Sequence, residues 1–293
     1  MKKFFSKLPI LAPVFLILSF FLPNLLIGKI PIPADSLLGL YHPFRDQARE
    51  GYDPGRFPTK NPLVTDPVLQ IYPWKKLTIE NIRTGQLPLW NPYSFAGQPL
   101  LANAQSAPLA IVNLLFLILP FNLAWAAAVV LPLLLTGLFM YLFLREINLT
   151  KTAASFGAVV LPFTGFFVAW MTWGNLTSTA MWMPLVLLSI EKLAKKISPV
   201  WFLILTLAVS QVVFGGHLQT ALYILLTSVL YLAAKTIKSQ NRSSIKIATA
   251  AIILGLLISS VQLFPTLEFI NHSARSLDQG YSSGRADCKR RAV

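Results

Sequence analysis

Residues that could carry out chemistry are concentrated in one polar stretch, residues 29–106. The stretch contains Asp35, Asp46, Asp53 and Asp66, and it ends in the dense run WNPYSFAGQPL at residues 90–100. A carboxylate can accept the proton of an attacking hydroxyl group. Because loops carry function more often than buried helices do, we expect the functional site to lie in this stretch.

Asp35 and Asp66 are the candidate catalytic carboxylates. They begin two similar segments, DSLLGLYHPFR at 35–45 and DPVLQIYPWK at 66–75. Asp35 ranks first because it follows the first apolar span, where the preceding helix would hold its carboxylate rigidly at the membrane boundary. The alternative for either residue is that an aspartate before Ser or Pro simply begins a turn or caps a helix.

Further residues are candidates for substrate binding, and they fall on one predicted side of the membrane. They are Arg45, Lys75, Trp90, Asn91, Gln98, His217, Gln219, Glu268 and Arg275. Bases could neutralise a departing phosphate or face lipid headgroups. No D-x-D pair lies near Asp35, so we place no metal in the site, although a divalent cation could support the phosphate.

Each of the other candidates has a structural alternative. Trp90 could stack on a sugar ring or belong to the aromatic belt of the membrane interface. Asn91 and Gln98 could bind sugar hydroxyls or satisfy backbone groups in a proline-rich turn. His217 is either a buried, hydrogen-bonded histidine or an acceptor-binding residue. Glu268 could cap a helix or line the same cavity.

Composition and charge describe the helices that must position these residues. The chain is 55% hydrophobic and 12% charged, with a mean hydropathy of +0.60, which is typical of an integral membrane protein. Its net charge of +14 comes largely from Lys and Arg in alternate short loops. That positive-inside pattern favours topology over nucleic-acid binding, and it places the amino terminus in the cytoplasm.

At about 20 residues per span, the sequence predicts about seven transmembrane helices. We place them near 8–28, 122–144, 152–171, 177–191, 199–215, 219–234 and 246–264. The expected organisation is a first helix in 1–28, an extracytoplasmic loop in 29–121, a six-helix membrane bundle in 122–264 and an extracytoplasmic tail in 265–293. Within the loop, 68–83 and 107–120 are predicted to form interfacial or re-entrant helices.

The order of several motifs resembles the bacterial YfhO-type membrane proteins. The motifs are QIYPW after Asp66, GQLPLWNPY at 85–93, GQPL at 97–100, NAQ at 103–105, GGHLQTALY at 215–223, and QLFPTLE at 262–268 with Ser273 and Arg275. The resemblance extends to about Ser276, and the Trp-Asn-Pro block is its most specific part. Members of that family are usually longer, and the polar, basic end of this chain suggests a truncated reading frame.

The resemblance implies a relation to the GT-C glycosyltransferases, which are all-α membrane bundles with a large first external loop. Such enzymes take a sugar from a polyprenyl-phosphate carrier with an acidic residue of that loop, for which Asp35 is the best match and Asp66 the second. The implied acceptor is a cell-envelope polymer or lipid of the bacterial plasma membrane. A transporter or flippase for lipid-linked saccharides and a non-catalytic assembly subunit are the alternatives. A transporter is expected to have ionisable residues within its spans, or paired broken helices in two repeated halves.

Overall fold

The computed structural model describes residues 8–47, 64–238 and 242–273, and these fold almost entirely into helices. The α-helices are α1 Leu8–Leu26, α2 Ser36–Leu40, α3 Tyr72–Arg83, α4 Leu114–Ile118, α5 Phe121–Glu146, α6 Lys151–Val160, α7 Gly165–Trp170, α8 Asn175–Ala180, α9 Met183–Lys195, α10 Pro199–Phe214, α11 Leu218–Lys238, α12 Arg242–Ile258 and α13 Ser260–Asn271. Single 3-10 turns lie at Phe44–Asp46, Ile111–Asn113, Leu161–Phe163 and Met171–Trp173, and a π turn at Pro67–Ile71 precedes α3.

Residue types explain where several of these helices begin and end. The Thr150 hydroxyl accepts a hydrogen bond from the Ala153 N–H and caps α6, as N-cap threonines do. Pro199 begins α10, a position that needs no N–H donor. After α5, Asn148 takes a φ of +68°, a backbone conformation common at helix carboxyl ends. The chain therefore reverses between α5 and α6 within a few residues.

Two hydrophobic cores hold the bundle together. One joins α1, α3, α4 and α5, with Phe116, Trp125 and Ile17 among its buried side chains. The other joins α9, α10, α11 and α12, with Leu193 and Val209 fully buried. Helix α5 packs against α1, α6 and α9, so it links the two cores.

The ends of the bundle differ in their chemistry. At one end, Glu146 forms ion pairs with Lys192 at 2.5 Å and Lys195 at 2.8 Å. There Glu191 also pairs with Lys235 at 2.5 Å and accepts a hydrogen bond from the Tyr231 hydroxyl. Buried carboxylates need such partners. The network ties the ends of α5, α9 and α11 together.

The 98–113 segment covers the opposite end of the bundle. Gln262 of α13 donates to the Leu101 carbonyl at 2.7 Å, and Gln211 of α10 accepts from the Ile111 N–H at 2.8 Å. The Gly215–Gly216 turn fits against the same segment, because a Cβ on Gly216 would lie 2.7 Å from the Ala104 carbonyl oxygen. The segment is thus fixed to helices far away in the sequence.

The helical class is confirmed, whereas the predicted count of about seven spans is only partly supported. By length and composition, three helices in the described residues could cross a membrane: Phe121–Glu146, Lys151–Trp173 and Leu218–Ile237. Helices α12 and α13, bent by 56°, would together make a fourth. The count is lower because the predicted span at 177–191 is divided between α8 and α9, and the apolar helices Leu11–Leu26 and Pro199–Phe214 are shorter.

The large loop is only partly helical. The helix predicted at 68–83 is confirmed as α3 with its preceding π turn, while in 107–120 the helical part is limited to Ile111–Ile118. Trp90–Asn91 and Gln98–Pro99 pair as two short antiparallel strands, β1 and β2, which the sequence interpretation did not include. The Trp-Asn-Pro block therefore belongs to a small hairpin.

Candidate functional site

Asp35 lies at an open groove beside the end of the first helix. The groove has a volume of about 700 Å³, and its lining includes Phe21, Leu25, Lys29, Asp35 and Thr172; we call it the Asp35 groove. Its α1 wall is largely apolar, and its lining also includes an acid, Asp35, and a base, Lys29. Asp35 directly precedes α2 but makes no N-cap hydrogen bond with its side chain.

Gln98, His217 and Gln219 come together in a second cavity, the histidine cleft. This cleft has a volume of about 540 Å³ and is also lined by Trp74, Asn103 and Thr266. The His217 Nδ1 accepts from the Thr220 N–H at 3.2 Å, so the imidazole caps the start of α11. Burial lowers the pKa of His217, which favours the neutral ring that this hydrogen bond requires.

Two side-chain amides in the histidine cleft differ in whether their nitrogen has a hydrogen-bond partner. Gln219 donates from its Nε2 to the Tyr223 hydroxyl at 2.8 Å. Asn103 accepts from the Ser106 N–H at 2.8 Å, but its Nδ2 is buried without a hydrogen-bond partner in the described structure. Asn103 was not among the residues predicted to bind substrate, although it begins the NAQ motif at 103–105. A polar ligand in the cleft would meet an unused donor there.

Lys75 lies in a third, smaller cavity between the other two. Its lining includes Ile71, Lys75, Asn113, Trp125, Trp173 and Asn175; we call it the Lys75 cavity. It shares Gln105 with the histidine cleft, and Trp173 follows Thr172 of the Asp35 groove. Lys75 therefore points inward rather than toward lipid headgroups.

The remaining candidates in the loop lie elsewhere. Arg45 and Asp66 are exposed, and neither lines the three cavities. Asp66 precedes the π turn at Pro67 without a side-chain cap, as Asp35 precedes α2. Val64, two residues before Asp66, does line the Asp35 groove. The two aspartates thus share a local position before a helical turn and occupy different surroundings.

The hairpin residues have structural contacts of their own. Asn91 is 4% exposed, accepts from the Tyr93 N–H at 3.0 Å and donates to the Ser94 hydroxyl at 3.0 Å. The Asn91 amide therefore forms hydrogen bonds within the turn, which is the structural alternative expected for it from the sequence. The Trp90 ring covers Gly97, where a Cβ would lie 2.5 Å from it. Gln98 alone of the hairpin candidates reaches the histidine cleft.

Glu268 near the carboxyl end is exposed and does not line the histidine cleft, to which α13 contributes Thr266, Phe269 and Ile270. Arg275 lies outside the described residues. Among the residues that the structure does describe, no group of three or more His, Cys, Asp or Glu side chains could hold a metal.

The apolar helices that are long enough to cross a membrane define a multi-pass membrane protein. The chain belongs to the YfhO family, because the family model described as "Bacterial membrane protein YfhO" matches residues 103–282, more than half of the sequence. This confirms the family that the motifs indicated, over a shorter range than the motifs suggested. The match includes Asn103, His217 and Gln219 and begins after Asp35 and the hairpin. Neither a curated protein nor a solved structure matches the chain.

Proposed function

We propose that this chain is a membrane glycosyltransferase that moves a sugar from a polyprenyl-phosphate donor to a cell-envelope polymer or lipid. The observation that carries the proposal is the Asp35 groove, in which an apolar helix wall meets a carboxylate and an ammonium group. A lipid-linked sugar phosphate has the same division, with an apolar chain joined to an anionic headgroup. The groove therefore fits a donor delivered through the membrane.

Asp35 and Lys29 suit the two charges that such a transfer must manage. The acceptor oxygen forms a bond to the anomeric carbon while Asp35 takes its hydroxyl proton. The bond between that carbon and the phosphate oxygen breaks, and the polyprenyl phosphate leaves with the electron pair. Lys29, six residues before Asp35 and on the same groove, would stabilise the negative charge on the phosphate. Lys29 was not among the residues predicted from the sequence to bind substrate.

The proposal includes about seven membrane crossings with the amino terminus in the cytoplasm. Contacts at the two ends of the bundle support this topology. Trp125, near the start of α5, donates to the Pro31 carbonyl just after α1, while Glu146 at the other end of α5 meets Lys195 of α9. If α6 to Trp173 is counted as one pass and α8 with α9 as another, the proposed topology has seven passes through the bundle. The lysine-rich end would face the cytoplasm, as the positive-inside rule requires.

The test is sugar transfer in membranes that contain the chain at matched levels. We expect Asp35→Asn to reduce transfer at least a hundredfold, in the range that general-base catalysis contributes. Glu80→Gln removes an exposed carboxylate from the same loop and should leave transfer unchanged. Asp66→Asn asks whether the second aspartate takes part.

The outcomes distinguish the competing functions. Undiminished transfer by Asp35→Asn, with transfer lost in Asp66→Asn, would overturn the assignment of Asp35. No transfer by the wild-type chain would contradict the enzyme and favour a transporter or an assembly subunit. Movement of the lipid-linked sugar between leaflets without its transfer would identify a flippase.

A further inference from the structure

The Lys75 cavity is lined mostly by apolar residues, and Lys75 is the charged residue of that lining. Trp125, Trp173 and Phe116 contribute rings to its lining, and no carboxylate belongs to that lining. Its volume is about 40 Å³, and a single water molecule needs on the order of 10–15 Å³ measured in this way. The cavity is therefore large enough for a small polar group.

The Lys75 ammonium is held at the cavity in a fixed direction. Its Nζ donates to the Asn113 Oδ1 at 2.7 Å and to the Ser106 carbonyl at 3.1 Å. The Asn113 Nδ2 donates in turn to the carbonyls of Ala107 and Pro108, so its oxygen must face Lys75. An ammonium carries three donors, and these two acceptors leave one for a ligand.

Asn175 provides a second donor that the protein does not use. This residue is 5% exposed, and its Oδ1 accepts from the Leu176 N–H at 2.9 Å. That hydrogen bond fixes the orientation of the amide. Its Nδ2 is buried with no partner in the described structure, although it belongs to a cavity-lining residue. A buried amide N–H without a partner destabilises the fold, and a bound acceptor would offset that cost.

We propose that the Lys75 cavity binds a phosphate-class oxyanion, with the Lys75 ammonium and the Asn175 amide as its donors. A ligand with several acceptor oxygens and negative charge is the complement of a cavity that offers one cation and an amide N–H without a partner among the described residues. The anion is either the phosphate of a polyprenyl phosphate or free phosphate, and the experiment has one arm for each. Binding can be tested without sugar transfer, so this proposal and the proposed function can fail separately.

The electrostatics of Lys75 are consistent with an absent counter-charge. Burial lowers the pKa of Lys75 to about 7, since the ammonium is desolvated and no carboxylate lines its cavity. A bound anion would favour the charged form. The site is thus arranged to become a full cation when its ligand enters.

The experiment is calorimetric titration of the full chain in nanodiscs of uncharged lipid at pH 6.5. One arm uses inorganic phosphate and the other uses polyprenyl phosphate incorporated in the disc. We expect saturable binding in at least one arm, weakened about tenfold or more in Lys75→Met and in Asn175→Ala, as loss of a charge-assisted hydrogen bond implies. Lys76→Met changes an exposed lysine next in sequence and should bind like wild type.

The two arms identify the source of the anion. Binding of polyprenyl phosphate alone would assign the cavity to a lipid headgroup, and binding of inorganic phosphate would show that the free anion suffices. Equal affinity in wild type, Lys75→Met and Asn175→Ala would overturn the proposal, as would no binding in either arm. Asn175→Ala keeps the lysine, so it tests the site even if Lys75→Met fails to fold.

Discussion

Replacing Lys75 with methionine should change how the stability of the protein depends on pH. Burial lowers the pKa of Lys75 from its ordinary value of 10.5 to about 7 in the fold, so between these values the unfolded chain holds a proton that the folded chain lacks. Stability must therefore rise with pH across this window, by up to about 1.4 kcal/mol per pH unit. From pH 7 to pH 9 the wild type should gain about 2–3 kcal/mol relative to Lys75→Met.

That magnitude is an upper value for a physical reason. The residue is half-buried, and its two acceptors, the Asn113 Oδ1 and the Ser106 carbonyl, both favour the ammonium. The partial exposure and the two hydrogen bonds both oppose the effect of desolvation on the pKa, so the gain in stability between pH 7 and pH 9 is smaller. The sign is unaffected, because a lysine whose folded-state pKa is depressed always stabilises less as the pH falls toward that value.

The assay is reversible denaturant unfolding in phosphate-free detergent micelles, at pH 7, 8 and 9, for wild type, Lys75→Met and Lys76→Met. The Lys76 variant should keep the wild-type slope, since Lys76 is exposed on the same helix. Parallel stability curves for wild type and Lys75→Met would refute the desolvation of the Lys75 ammonium.

Three further perturbations test other contacts. Gly216→Ala should lower the free energy of unfolding by about 2 kcal/mol or more, because φ is +90° and the new Cβ would lie 2.7 Å from the Ala104 carbonyl oxygen. Gly165→Ala is the control, since a Cβ there would have no atom within 4 Å. If both variants lowered the free energy of unfolding by the same small amount, the close packing of Gly216 would be contradicted. Glu191→Ala should lower the free energy of unfolding by about 3 kcal/mol, because it leaves Lys235 without its ion-pair partner. Thermal unfolding measures this loss. A loss below about 0.5 kcal/mol, the size expected for a surface substitution, would show that the ion-pair network does not stabilise the fold. Burial lowers the pKa of His217 below the ordinary histidine value of 6.5, so the free energy of unfolding should fall as the pH drops below 6.5. Replacement by Asn keeps a capping acceptor and should remove that acid sensitivity; its persistence would exclude His217 as the cause.

Periodicity and charge were sufficient to predict the helices, because lipid imposes one dominant pattern on a membrane chain. Helices occur at each of the seven predicted spans, including Phe121–Glu146 and Leu218–Lys238. The division of 177–191 into α8 and α9 was missed, since Pro184 lies in the first turn of α9 and hydropathy alone does not locate such a break. The short strands of 90–99 were also missed, because two paired residues in each strand give no detectable alternation.

Site residues were predicted less well, because their grouping depends on contacts between distant segments. Gln98, His217 and Gln219 do share a cleft, which the shared side of the membrane suggested. Lys75 was taken for a headgroup or phosphate base of the external loop, and its inward direction depends on Asn113, 38 residues away. Asn175 carries no sequence signal of function. Only its burial with an unused donor distinguishes it.

The most direct test of the central claim is donor turnover by the purified chain in nanodiscs. A synthetic polyprenyl-phosphate sugar would be supplied with a cell-envelope fraction, and released polyprenyl phosphate would be measured together with sugar on the acceptor. We predict equal amounts of both products for wild type and neither for Asp35→Asn. Equal turnover by Asp35→Asn would contradict the catalytic role of the Asp35 groove.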